Sequence, residues 1–520
     1  MSIHKKIAKN AVYNFLIKAI TLAFGFIASV VTARFLGPEK YGVYSFVIWI
    51  LYVVGLLVNL GINTTVTKYV SEYWGRNDFS AITSIFRKLF RFEILAGVVV
   101  SLLLFFSAPL IAHWYKNPEL SLYLKVAAAV LLPLGLMWLY NGLFCGLQRY
   151  DLIARINLVV SPLTVGFILL VLYLSGKMEW LVAVSTLTNI LLVLNYVYFK
   201  RRKLDFGPSA IDRRPSTAND LSGKLFKFSA SVFVVLVLDA VVWERFGILF
   251  LSIFSTSTEI AFYNVAFILS SRTMILLPGA LTGILLPAMS EVYGGGNKGE
   301  LAKVHSNSTR YLAMLSFPLC LGGIAIAHQF LPVLYGQSYQ PAAWLFAILL
   351  LGGAVGSIST SSSSLLYGTE LQSVVVKVGI SAALVNLMIC RLAVPSWGAK
   401  GVALATAFAQ AISGVTLMLY AYKKHMKQKF PRSGILRIIL ASALMAIVAF
   451  TFAEGLKGMV GVALALIVSI PLYILALFFT RSLTAEDLKL LEAAFSRIPE
   501  SWSKKIKPVL NWLVHSFYPN

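Results

Sequence analysis

The chain has 520 residues, of which 58% are hydrophobic and only 13% charged, and its mean hydropathy is +0.79. Soluble domains carry about 25% charged residues, so this composition excludes an ordinary soluble protein and marks a polytopic membrane protein. A formal charge of +24 would point to nucleic acid in a soluble chain. Here the cations gather in loops, and no nucleic-acid partner is expected.

In chain order, the first element runs from Asn10 to Ala33, with Lys18 its only charge. About 20 apolar residues cross a bilayer core, so the run is long enough to span. It is also longer than a signal-peptide core, which makes it a retained anchor behind His4, Lys5, Lys6 and Lys9. Gly37-Pro38 then stops the helix, and Tyr41 and Tyr44 sit where an interfacial aromatic belt belongs. The same pattern repeats down the chain. It gives fourteen spans, at 10–33, 41–63, 84–108, 120–144, 152–174, 180–199, 226–250, 258–287, 305–329, 339–366, 371–392, 399–421, 434–453 and 458–479.

Segment 200–227 opens with Lys200-Arg201-Arg202-Lys203, contains Pro208 and Pro215, and separates six spans from the rest. Two parallel six-helix lobes are therefore expected, residues 1–200 and 226–421, joined by a cytoplasmic linker at 201–225. A faint echo between 37–44 and 258–263 supports the repeat. Spans 13 and 14 (434–479) are extra. Within span 10 the run from Ser357 to Ser364 suits either close helix packing or a wet cavity. After 480, Thr484 to Asp487 resembles a capping box, and Leu488, Leu491, Phe495 and Ile498 follow at helical spacing. Residues 480–520 thus read as amphipathic helices lying on the inner leaflet.

With the N-terminus inside, and span ends counted with the segments they adjoin, 34 of the 45 Lys and Arg fall on the inside and 8 on the outside, leaving Lys18, Arg245 and Arg272 within spans. That bias predicts a cell-membrane protein with both termini cytoplasmic. No enzyme chemistry is legible. The glycines at 294–296 with Lys298 lack phosphate-loop spacing, and the six histidines form no ligand pair. Cys145, Cys320 and Cys390 give neither a disulfide framework nor a metal site. No cofactor or metal is expected.

The informative residues are charges inside spans, each costing at least about 2.5–3.5 kcal/mol at mid-bilayer. Lys18 lies ~12 Å from the inner surface, Asp239 ~20 Å deep in span 7, and Arg272 ~21 Å deep in span 8, at 1.5 Å per residue. Asp239 and Arg272 either pair to hold spans 7 and 8, or help line a cavity in which Lys18 and Arg272 meet an anionic substrate. Glu93 is expected to pair with Arg91 or a neighbouring helix; its alternative role is to carry a coupling proton. Glu244 and Arg245 sit near the outer surface, where snorkelling is expected.

Arg34-Phe35-Leu36-Gly37-Pro38-Glu39-Lys40-Tyr41-Gly42 resembles the R-x-L-G-x-x-x-Y/F-G junction of polysaccharide-exporting flippases in the MATE-like superfamily. Leu285-Leu286-Pro287-Ala288-Met289-Ser290 and Leu334-Tyr335-Gly336-Gln337-Ser338-Tyr339 resemble two further stretches of that family, in order. So does Asn386 followed by Val394-Pro395-Ser396-Trp397-Gly398-Ala399-Lys400-Gly401. The resemblance covers about residues 7–480. It implies an all-α transporter of about fourteen helices that moves a polyprenyl-(pyro)phosphate-linked glycan from inner to outer leaflet. Membrane lipids and an H+ or Na+ coupling ion are the implied partners. Arg34, Gly37, Pro38, Gly42, Pro287, Gly336, Asn386, Pro395, Gly398 and Gly401 are expected to shape the fold and its hinges, and Lys18, Arg272, Asp239 and Glu93 are the cavity candidates. Span 2 lacks a basic residue between Tyr41 and Asn63, which tells against a peptidoglycan precursor. The rival readings are a cation-coupled multidrug antiporter of the same fold, weakened by the lack of a carboxylate in span 1, and a polytopic glycosyltransferase.

Overall fold

The computed structural model describes residues 3–203, 218–242, 245–276, 278–456, 458–483 and 487. Among them there is no strand: the chain is all-α. Ten described helices are long and apolar enough to cross a membrane, as a multi-pass membrane protein requires.

The longest helices show how the turns work. α1 (Ile3–Asn59) is two helices that meet at a kink at Gly37, where φ is +70° and ψ 171°. Only glycine takes that conformation without a Cβ penalty, and Pro38 then restarts the helix from its first turn. The apolar part, Leu16–Asn59, is 44 residues, or ~66 Å, about twice a ~30 Å hydrocarbon core. Two expected spans therefore lie on either side of one glycine. α13 (Gln372–Leu419) repeats the device at Gly398 (φ +51°), with Pro395 just ahead of it. A π-helical turn, Tyr420–His425, ends it.

The chain folds into two compact units, Met1–Asn264 and Val265–Asn520. The first contains α1, α2 (Ile62–Gly75), α3 (Phe79–Trp114), α4 (Leu120–Gly146), α5 (Tyr150–Leu174), α6 (Met178–Lys203), α7 (Ala218–Val242) and α8 (Gly247–Phe254). Its core gathers Val66, Val70, Ile82, Phe86, Leu139, Leu143, Phe144, Ile156 and Tyr196. α9 (Ser257–Leu276) starts in the first unit and ends in the second, so the boundary at Asn264 falls inside a helix, beyond the 201–225 segment. α7 packs with the first unit, where the Ser229 hydroxyl donates to the Leu60 carbonyl at 2.6 Å. The second unit continues with α10 (Pro278–Gly294), α11 (Lys298–Tyr335), α12 (Ala342–Gly368), α13, α14 (Arg432–Leu456) and α15 (Gly458–Phe479).

Two differences from the sequence expectation matter. Residues 64–83, left as a connection between the second and third expected spans, carry most of α2 and the first turn of α3. Span 7 is built from two helices, α7 and α8. Residues 204–217 of the linker lie outside the described residues, as does the tail after 483 except Asp487.

α3 shows how faces are assigned. Glu93, Gly97, Val100, Leu104, Ala108 and Ala112 recur at steps of three and four and are buried. Leu95, Leu103, Phe106 and Leu110 on the other side are 59–75% exposed, the apolar surface a lipid-facing helix presents.

Candidate functional site

The first unit holds a buried polar cluster that begins at the α1 break. Tyr41, four residues past Gly37, is 2% exposed, and its hydroxyl lies 3.0 Å from Ser29 Oγ. Asn264 on α9, 3% exposed, donates through Nδ2 to Ser45 Oγ at 2.9 Å and to Tyr41 Oη at 3.4 Å. Its Oδ1 accepts from Arg245 Nη1 at 2.5 Å. Both ends of this amide are therefore used. Next to it a Cβ on Gly42 would overlap the Ser257 carbonyl oxygen, so α1 and α9 meet backbone to backbone. Tyr115, at the end of α3, stacks on Phe46 with ring centroids 4.5 Å apart and lies 3.1 Å from Ser257 Oγ.

This cluster corrects two expectations. Tyr41 is no belt residue, because burial leaves its hydroxyl only protein partners. Arg245 does not merely snorkel; it is spent on Asn264. Glu244 lies outside the described residues.

In the second unit the serine run of α12 is resolved in favour of close packing. Ser361 Oγ lies 2.8 Å from Thr309 Oγ1, which accepts from Tyr422 Oη at 2.9 Å. His305 Nε2 lies 3.0 Å from Ser362 Oγ. Gln428 Nε2 donates to His305 Nδ1 at 2.8 Å, which leaves Nε2 as the donor to Ser362. Beyond them Arg310 Nη2 reaches both Asp487 carboxylate oxygens at 2.7 Å, and Tyr311 Oη donates to the same carboxylate at 2.9 Å. Asp487 answers Arg310; the expected capping box lies outside the described residues, because Thr484 does.

The four cavity candidates lie on four different helices. Lys18 is exposed on α1, Asp239 exposed on α7, and Arg272 exposed on α9 in the second unit. Glu93 is 1% exposed in the seam of α3 and α4. Among the described residues no hydrogen bond or ion pair joins any two of Lys18, Glu93 and Asp239. The expected Glu93–Arg91 pair is not formed: Arg91 is exposed, and neither Glu93 oxygen has a hydrogen-bond partner. On an α-helix residues two apart point to different sides, which is why this pair fails. Among the described residues no group of His, Cys, Asp and Glu could hold a metal ion.

The motif residues act on backbone shape. Gly37, Gly398 and Gly336 all have positive φ, and Gly401 packs against the backbone of Ala393 and Val394. Asn386 is buried and accepts from Cys390 Sγ at 3.3 Å. Arg34 and Pro287 are exposed. Sequence reading missed Asn264, Ser45, His305 and Gln428. Asn264 alone left a signal, an amide in the middle of an apolar run.

A family model described as polysaccharide biosynthesis protein matches residues 31–344, more than half of the chain. The chain belongs to that family. Its relatives include a probable low-salt glycan biosynthesis flippase of Haloferax volcanii, 22% identical over 458 residues, covering 88% of this chain and 91% of that one. They also include a teichuronic acid biosynthesis protein of Bacillus subtilis, 21% identical over 291 residues, covering 54% of this chain. The match spans 56% of that relative's length. Among solved structures, the lipid II flippase MurJ in an inward closed conformation superposes with a TM-score of 0.71. That match covers 90% of this chain and 99% of MurJ at 14% identity, a likeness that shows the fold. This member of the polysaccharide biosynthesis family is a polytopic all-α membrane protein whose long helices break at Gly37 and Gly398.

Proposed function

We propose that this protein is a flippase for a lipid-linked oligosaccharide or polysaccharide precursor, working by alternating access in the cell membrane with both termini cytoplasmic. The observation that carries the reading is the family match over residues 31–344, joined to an all-α fold that superposes on a lipid flippase. The substrate is a glycan on a polyprenyl-(pyro)phosphate carrier. Its polyprenyl chain stays in the bilayer while the charged head crosses.

Lys18 and Arg272 take the anionic head group in this account. Both are exposed, and a cation kept at membrane depth is usually there for a partner. An inside-negative potential supplies direction. Moving about two negative charges outward across 100 mV is favoured by roughly 4–5 kcal/mol. Asp239, exposed on α7, tunes that positive field.

The test is cellular. Deleting the gene leaves lipid-linked glycan on the inner leaflet, where a membrane-impermeant glycan-modifying reagent cannot reach it, and restoring the chain returns it to the outer leaflet. Unchanged leaflet distribution, together with altered resistance to cationic compounds, supports the antiporter reading instead. Consumption of a sugar donor by the purified protein supports the glycosyltransferase.

A further inference from the structure

Glu93 is the buried ionisable group that the account above leaves unused. Its place follows from the helical period of α3: the buried stripe reads Glu93, Gly97, Val100, Leu104, Ala108, with every other member apolar or small. The side chain is 1% exposed, and neither carboxyl oxygen has a hydrogen-bond partner. Opposite it on α4 stands Gly135, where a Cβ would overlap Glu93 Oε1; Val58 of α1 closes the same space. The carboxyl therefore fills a hollow that a glycine leaves open.

No charge answers it from any packed element. From Tyr41 to Asn59, α1 carries no Asp, Glu, Lys, Arg or His, and the α4 sequence has only Lys125, ten residues from Gly135. On α3 itself Arg87 and Arg91 are exposed, and Lys88 is half-buried. Lys68 and Glu72 of α2 lie on a helix that packs near Ile82, Ile85 and Phe86, two turns or more away along α3. Lys200 of α6 stands over the Phe86 ring at 4.0 Å, again two turns away.

An ionised carboxylate with no hydrogen bond in such a seam is far too costly to persist, so such groups neutralise. A metal cation is no substitute, since hard cations need several oxygen ligands and Val58 and Gly135 bring none. We infer that Glu93 is an occluded proton-binding site, loaded while α3 and α4 are packed together and emptied when their seam opens to water, so that proton occupancy is tied to the transport cycle. The site exchanges one proton, carboxylic acid on one side of the step and carboxylate plus H+ on the other. The coupling rests on the flippase reading, whereas the proton site stands without it.

Two arms test it. The wild-type chain in vesicles of phosphatidylcholine and phosphatidylglycerol is treated with dicyclohexylcarbodiimide, a lipid-soluble reagent for protonated carboxyls, or with a water-soluble carbodiimide. Mass spectrometry then follows the Glu93 peptide. The expected result is an adduct from the lipid-soluble reagent alone, falling as pH is raised. No adduct on Glu93, equal labelling by the water-soluble reagent, or labelling independent of pH overturns the site. In the second arm a fluorescent polyprenyl diphosphate–N-acetylglucosamine probe is followed across the same vesicles under a pH gradient at clamped potential. Wild-type flipping should follow the gradient, while E93Q, neutral and nearly isosteric, should flip at a rate the gradient does not alter. Gradient-dependent flipping by E93Q overturns the coupling. A wild-type chain that does not move the probe counts against the flippase reading and leaves the labelling arm to decide the site; the same arm decides if E93Q does not fold.

Discussion

At the scale of single residues, the buried amide of Asn264 shows what sequence reading could and could not reach. Its partners Tyr41 and Ser45 lie 223 and 219 positions away, so no spacing announces them. Asn264→Leu leaves Arg245 and two hydroxyls short of a partner in a dry place. A loss of ~1–3 kcal/mol per unsatisfied group is expected, read as a lower melting temperature of the purified protein; a shift within error would deny the cluster its role. Gly42 was legible as a motif residue, but the reason was not: a Cβ there meets the Ser257 carbonyl. Gly42→Val should cost ~1–3 kcal/mol through forced separation of α1 and α9, visible in the same melting experiment. Charges were legible as exceptions in apolar runs, yet their partners were not, and the supposed Glu93–Arg91 pair failed because the two point to different sides of α3.

Helices were read well where backbone chemistry dictates them. Gly37-Pro38 and Gly398 had to mark breaks because of what glycine and proline permit, and both do, each joining two helices across a kink. α2 went unread although Ile62, Val66, Tyr69 and Val70 carry its period; a short amphipathic helix resembles a polar connection when the neighbouring spans are so apolar. The α3 start is testable. The Asp78 carboxylate accepts from the Ala81 amide at 2.9 Å and from Ser80, and these bonds hold its pKa below the ordinary aspartate value. A lowered folded pKa stabilises above the unfolded value of about 3.9, and the contribution fades as pH falls through the folded one. Asp78→Ala should loosen the first turn of α3 by ~1 kcal/mol at neutral pH, and Asp78→Asn by less, measured by hydrogen exchange of the 79–84 amides. The Arg310–Asp487 pair is a second case. Both residues are less than 10% exposed, so Arg310→Ala strands a buried carboxylate and should cost ~3–5 kcal/mol. Arg310→Met with Asp487→Leu should recover most of it; a double variant as unstable as the single one would contradict this.

On the scale of the whole molecule, composition gave the class and apolar runs of about 20 residues gave the all-α fold, because a segment that long crosses a bilayer as a helix that satisfies its own backbone. Family membership was legible in four Gly/Pro turn motifs, since turns tolerate fewer residue types than packed faces do. The polar clusters were not legible, because hydrogen bonds between distant helices leave no local period. The central claim is that cations on a helical transporter carry an anionic glycan head across the membrane. Its most direct measurement is the rate at which a polyprenyl diphosphate-linked oligosaccharide crosses vesicles containing wild-type protein, Lys18→Ala or Arg272→Ala. The account predicts that wild type flips the lipid well above protein-free vesicles, and that each substitution slows it about tenfold, ~1.4 kcal/mol of lost head-group binding. Wild-type vesicles no faster than empty ones, or both variants as fast as wild type, would contradict it.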